Sequence, residues 1–232
     1  MGGRLFLSGG GDEQQTFELD ELFLKDAKTI LYIPVAWPNE DFDSCLKWFT
    51  VAMEQHKKVK IEMLTDLNKS PDLADYDAVY VGGGNTFKLL KKIRESGFDK
   101  KLSDYYYSGG TVYGGSAGAI IWGNDINIAS ICKDADVNLV GLKDTHGFDV
   151  LNGVDVQCHY EQNQAREHQQ YIEKSGRNVI AIPEESALLV SDTGAMVIGT
   201  MPVSFITRTT VKEYGIGERM RLPLHWGLSP LL

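Results

Sequence analysis

Ser116 lies in the run Gly114-Gly115-Ser116-Ala117-Gly118, directly after the apolar residues Thr111–Tyr113. Three positions without a Cβ around one serine match the G-x-S-x-G nucleophile elbow, a sharp strand-to-helix turn that lifts a hydroxyl clear of a sheet edge. The alternative is a glycine-rich turn with an incidental serine. A serine hydroxyl is a weak nucleophile and needs a general base, itself oriented by an acid. The chain has five histidines. His56 ends a helical pattern among lysines and His168 lies within a charged one, so both read as solvated. His225, beside Trp226, reads as packing, and His146 lies in a polar loop that could approach a site. His159 follows the short strand pattern Val154–Cys158, which puts it at a strand's C-terminal end, and it is the preferred base.

The elements that must position these groups alternate. Arg4–Ser8 reads as a strand ending in Gly9-Gly10-Gly11, and Thr16–Leu24 as an amphipathic helix. Thr29–Val35 is a continuous apolar run, as in a strand buried on both faces. Asp41–Gln55 has helical spacing, Val59–Leu64 alternates, and Asp77–Val81 is an apolar strand running into Gly82-Gly83-Gly84 and a further helix. Leu102–Tyr107 belongs to another helix before the elbow strand. This order predicts an α/β fold of three layers, αβα, flavodoxin-like, with a mostly parallel sheet between helices. Ligands bind such sheets at the carboxyl ends of the strands. Three glycine clusters, at 9–11, 82–84 and 114–118, fall there. They do not form G-x-G-x-x-G with its downstream acid, nor a P-loop. Residues 124–157 read as loop with short strand pieces, Glu161–Glu173 as a polar helix and Asn178–Ile182 as a strand before Pro183-Glu184-Glu185. Ala187–Val190 and Ala195–Ile198 read as a hairpin, and the tail as edge strands.

With 232 residues and 43% hydrophobic content, the chain can bury a real core, and 1–232 is read as one domain. A net charge of −9 argues against nucleic acid or an anionic membrane as partner. No apolar run reaches about 18 residues, so no membrane span is expected, and the first residues lack the features of a signal peptide. Cys45, Cys132 and Cys158 form neither a metal pattern nor a disulfide framework. Free buried thiols fit a cytoplasmic protein. No His, Cys and carboxylate cluster has ligand spacing, so neither metal nor cofactor is expected.

Taken together, GGGNTFKLL at 82–90, GGSAGA at 114–119 and the strand ending in Cys158-His159-Tyr160 resemble the peptidase E family of serine dipeptidases (alpha-aspartyl dipeptidases) and the related cyanophycinases. The resemblance covers roughly residues 1–200. It implies a fold similar to class I glutamine amidotransferases, with serine at the elbow. It implies Ser116 as nucleophile, His159 as base, and the N–H groups of Gly84 and Ala117 as the oxyanion hole. It places the orienting acid between the elbow and the histidine, where Asp136 is preferred and Asp134 second. Glu161 comes third, from an H-x-E arrangement in His159-Tyr160-Glu161. Arg166 is expected to meet a substrate carboxylate, and Glu184 or Glu185 its free amino terminus.

The function expected is hydrolysis of small peptides, foremost dipeptides with N-terminal aspartate, through a Ser-His-acid triad and an acyl-enzyme. The partner is then a small peptide, with a homodimer possible in principle. The rivals are a cyanophycinase-like isopeptide hydrolase and a non-catalytic small-molecule binding protein on the same fold. Glutaminase-type amidotransfer is disfavoured, since neither Cys132 nor Cys158 lies on an elbow.

Overall fold

The computed structural model describes residues 2–131 and 135–222. Asp134, Cys132, His225 and Trp226 lie outside the described residues. In chain order the strands and helices are β1 (Arg4–Ser8), α1 (Phe17–Leu24), β2 (Thr29–Ile33), α2 (Phe42–Glu54), β3 (Lys60–Met63) and β4 (Ala78–Val81). There follow α3 (Thr86–Glu95), α4 (Phe98–Tyr107), β5 (Thr111–Gly115), α5 (Ala117–Ile120), β6 (Asp155–Gln157) and α6 (Ala165–Ser175). The chain continues with β7 (Val179–Ala181), β8 (Ser186–Ser191), β9 (Gly194–Gly199), β10 (Val203–Ile206), β11 (Val211–Tyr214) and β12 (Arg219–Met220).

The main sheet runs β12-β9-β8-β1-β5-β4-β2-β3. Pairing is parallel from β1 through β5, β4 and β2 to β3, while β8, β9 and β12 extend the other side antiparallel. Side chains on one strand alternate between faces, and this sheet is covered on both. Leu5 and Leu7 pack with Phe87, Leu90 and Ile93 of α3 and Leu102 of α4. Phe6, between them, packs on the opposite face with Leu19 and Phe23 of α1 and Phe49 of α2. That is the expected mostly parallel αβα sandwich.

Two departures bear on the site. β6, β7, β10 and β11 form a second, four-stranded sheet, ordered β11-β10-β7-β6. The strand before His159 therefore does not extend the main sheet; among the described residues β6 pairs with β7 alone, in parallel. Short strands give little local signal of which sheet they will join, and the alternation was compatible with either. His168, read as solvated, is buried, with Nδ1 2.7 Å from the Gln164 carbonyl and the ring edge-on to Tyr160. His56 is partly buried and packs on Phe17. His146 is exposed, beside Asp144 and paired across to Asp125, away from the elbow.

Behind the elbow strand, the α1 carboxyl of Asp20 is 3% exposed and accepts a hydrogen bond from Thr16 Oγ1 at 2.9 Å. Burial pushes its pKa up to about 7, and the bond from Thr16 offsets only part of that. An unfolded aspartate ionises near pH 4, so this group favours the folded state at low pH, and the contribution is lost as pH rises toward 7. Thermal unfolding at pH 5 and pH 8 should show wild type losing stability across this interval, and Asp20→Asn should flatten the loss. An unchanged pH dependence in the variant would show that Asp20 is ionised throughout.

Candidate active site

The turn after β5 places Ser116 at φ 51°, ψ −114°, outside the regions an L-residue ordinarily occupies. Such a conformation costs on the order of 1–3 kcal/mol and persists only where the surroundings enforce it. Here they do. Ser116 N–H donates to the Ser8 carbonyl at 3.2 Å, and its own carbonyl accepts the first hydrogen bonds of α5, from Ala119 and Ile120. Close approach requires Gly118, because a Cβ there would stand 2.2 Å from the Val81 carbonyl oxygen.

His159 also has positive φ, 53°, and its N–H donates to the Gly9 carbonyl at 3.0 Å. Consecutive residues at the end of β1 thus hold the two groups, and their side chains meet: Ser116 Oγ lies 2.8 Å from His159 Nε2. The other ring nitrogen, Nδ1, lies 2.8 Å from Glu184 Oε1. A carboxylate can only accept, so Nδ1 carries the proton and Nε2 of the neutral ring is free to accept from Ser116 Oγ–H. Gly10, at φ +94°, makes room for this pair. A Cβ on Gly10 would fall 2.7 Å from both His159 Cε1 and Ser116 Cβ.

Glu184 follows β7 across Pro183 and is half-buried. Burial raises its pKa, but hydrogen bonds from His159 and Gln15 outweigh that and hold the carboxyl below its ordinary range. Gln15 Nε2 donates to Glu184 Oε2 at 3.0 Å. The group is therefore an anion at neutral pH and loses its charge only as pH falls through that depressed pKa.

The acid preferred from sequence is elsewhere. Asp136 Oδ2 accepts from Thr86 N–H at 2.7 Å and Thr86 Oγ1 at 2.6 Å, and Oδ1 accepts from Asn85 Nδ2 at 3.3 Å. It caps the positive N-terminal end of α3 instead of orienting the imidazole. Glu161 caps the 3-10 turn Gln162–Gln164 ahead of α6, with its backbone N–H bound to Gln164 Oε1. Glu184, expected to meet a substrate amine, takes the place next to His159. The available sequence signal was the strand 178–182 ending in Pro183-Glu184, which sets an acid at the same edge. Gln15 had no signal at all.

A cavity of about 470 Å³ opens beside Ser116 and His159, lined further by Gly84, Asp136, Gln157 and Glu184. Gly84, at φ +122°, shares this cavity with Ser116, and Ala117 is the buried first residue of α5. Arg166 is exposed in the first turn of α6 and is not among the described residues lining the cavity, which include no lysine or arginine. Among the described residues no three His, Cys, Asp or Glu side chains come together as a metal-binding group.

Residues 5–198 match the model of peptidase family S51. The chain belongs to peptidase family S51. Peptidase is accordingly its class of activity. It is similar to an uncharacterized peptidase of Listeria monocytogenes, 31% identical over 164 residues, 66% of this chain and 77% of that protein. Peptidase E of Escherichia coli is 40% identical over 76 residues, a stretch covering 33% of this chain and only 30% of that one. Among solved structures, a peptidase from an acI-B1 Actinobacterium superposes with a TM-score of 0.69 at 20% identity, covering 95% of this chain and 97% of that one. At that identity the likeness shows the fold, which this S51 chain shares. No helix among the described residues is long and apolar enough to cross a membrane.

Two substitutions separate the roles. Glu184→Gln should lower kcat on the order of 10²–10⁴-fold, the range for losing the group that fixes a catalytic imidazole. Asp136→Asn should cost less activity and register instead as lost stability, on the order of 1–2 kcal/mol; the reverse ranking would return the orienting role to Asp136. Gly10→Ala should abolish turnover while leaving the far-ultraviolet circular dichroism spectrum intact, because the intruding methyl separates Ser116 from His159.

Proposed function

We propose that this protein is a serine peptidase that cleaves small peptides through an acyl-enzyme on Ser116. The observation that carries the reading is the relay of two 2.8 Å contacts, Ser116 Oγ to His159 Nε2 and His159 Nδ1 to Glu184 Oε1. Ser116 Oγ attacks the peptide carbonyl as its proton passes to Nε2, and the imidazolium so formed faces the Glu184 carboxylate. The negative oxygen of the tetrahedral intermediate accepts hydrogen bonds from the N–H groups of Gly84 and Ala117, usually the largest single source of rate enhancement in such sites. His159 then gives its proton to the departing amine, the C–N bond breaks and the acyl group stays on Oγ. Water, deprotonated by His159, repeats the sequence and releases the acid.

The size of the cavity suits a dipeptide or a similarly small substrate. Preference for N-terminal aspartate has weaker support, since the residue expected to bind that carboxylate, Arg166, lies outside the cavity lining. The isopeptide reading uses the same chemistry and differs only in the bond presented. A binding role without catalysis leaves the close Ser116–His159 contact without a purpose. The buried free thiol of Cys45 supports a reducing, cytoplasmic setting.

Treatment with a serine-directed fluorophosphonate, followed by peptide mass analysis, should place the adduct on Ser116. Ser116→Ala should lose both the adduct and several orders of magnitude in kcat, keeping only a residual on the order of 10³–10⁴ over the uncatalysed reaction. Near-normal turnover in the variant would remove Ser116 from the mechanism.

A further inference from the structure

Gln15 stands behind the acid rather than beside the serine. It is half-buried and is not among the described residues lining either cavity that Glu184 borders. Both ends of its amide are used. Oε1 accepts from the Asp12 N–H at 2.9 Å, and Nε2 donates to Glu184 Oε2 at 3.0 Å, with Glu185 Oε1 further off at 3.5 Å. A flipped amide would set donor against donor at Asp12 and acceptor against acceptor at Glu184, so the two bonds fix one orientation. Asp12 is itself tied back, its Oδ1 accepting from the N–H groups of Gln14 and Gln15. Gly11 lets this turn lie against the acid. A Cβ there would stand 2.7 Å from the Glu184 carbonyl oxygen and 2.8 Å from Gln15 Cβ.

The surroundings of Glu184 give that bond its value. Apart from His159, the titratable side chains that face it are acids: Glu185 next in the chain, Asp12 from the stretch after β1, and Glu161 and Asp136 across the two cavities. No lysine or arginine is among the described residues lining those cavities. Each neighbouring negative charge favours a proton on the His159–Glu184 pair, and a protonated pair cannot serve as a base. A donor to Glu184 opposes that uptake. Gln15 supplies the donor from a neutral group, so it holds the carboxylate without cancelling the charge that faces the imidazole. A lysine in its place would cancel it.

Resting on the acyl-transfer reading above, we propose that Gln15 is a positioning residue of this site. Its amide holds Glu184 in the orientation that meets His159 Nδ1 and offsets the charge of the acids around it, Glu185 foremost. The pH below which the serine loses its base is thus set in part by a side chain outside the described lining of both cavities.

The probe is diisopropyl fluorophosphate. Ser116 Oγ bonds to its phosphorus, the Oγ proton passes to His159 Nε2, and fluoride leaves, so the rate falls as the pair takes up a proton. The second-order rate of labelling is followed between about pH 4 and pH 9 in wild type, Gln15→Leu, Gln15→Glu and Glu185→Gln. Gln15→Leu should move the midpoint of the acid limb upward by about half to one pH unit, the size of a lost hydrogen bond to a half-buried anion. Gln15→Glu, which adds a like charge, should move it further, and Glu185→Gln should move it downward. A midpoint unmoved in both Gln15 variants overturns the proposal, even where labelling slows equally at every pH, as loss of packing alone would cause. If neither Gln15 variant folds, Glu185→Gln decides: a downward shift supports the proposal and an unmoved midpoint overturns it. Labelling of wild-type Ser116 with unmoved midpoints removes this inference alone; no labelling of wild type removes the serine peptidase reading with it.

Discussion

Three hydrogen bonds from the end of β1 and the loop that follows it hold Ser116, His159 and Glu184 together. The Ser8 carbonyl takes the Ser116 N–H, the Gly9 carbonyl takes the His159 N–H, and Gln15 Nε2 reaches Glu184. The three side chains come from three separate parts of the chain: the turn after β5, the end of β6 in the second sheet, and the segment after β7. None of those segments is adjacent in sequence, and two of the three residues carry strained backbone at φ 51° and 53°. One short stretch, from the last residue of β1 to Gln15, supplies a backbone or side-chain bond to each. Gly10, within that stretch, leaves the space in which Ser116 and His159 touch. Strain at Ser116 is tolerable because the close-packed strands β1, β5 and β4 behind it, buried apart from Arg4 at the start of β1, leave little room to relieve it.

Charge is arranged with similar economy. Two carboxylates border one cavity, and their partners assign them different work. Asp136 spends its oxygens on the N-terminus of α3, next to Gly84, and so stiffens the loop that faces Ser116. Glu184 receives donors from His159 and Gln15, and those bonds outweigh its burial and keep it ionised. In the proposed acyl transfer, an ionised Glu184 faces the imidazolium formed as Ser116 loses its proton, which is when the charge would matter for rate.

Much of this was legible in the sequence because glycine clusters and apolar strands are strong local signals. The elbow, the parallel order of the first five strands and the position of His159 at a strand end all follow from patterns a few residues long. The orienting acid did not, since its identity depends on which loop end faces Nδ1, a tertiary fact. Asp136 satisfied the expected order along the chain, yet the unpaired N–H groups at the start of α3 claim it. Gln15 carries no motif: it matters only through what packs beside it. His168 misled in the opposite sense, because a charged helix can still bury one polar side chain by bonding it to its own backbone.

The most direct test of the assembled relay is the proton on His159 Nδ1, observed by NMR of the protein labelled with ¹⁵N at histidine. A strongly downfield resonance bonded to Nδ1 of His159 is expected, retained in Asp136→Asn and lost in Glu184→Ala. If the resonance survives in Glu184→Ala and disappears in Asp136→Asn, the relay described here is wrong, and the loop after β1 holds the serine and histidine beside a different acid.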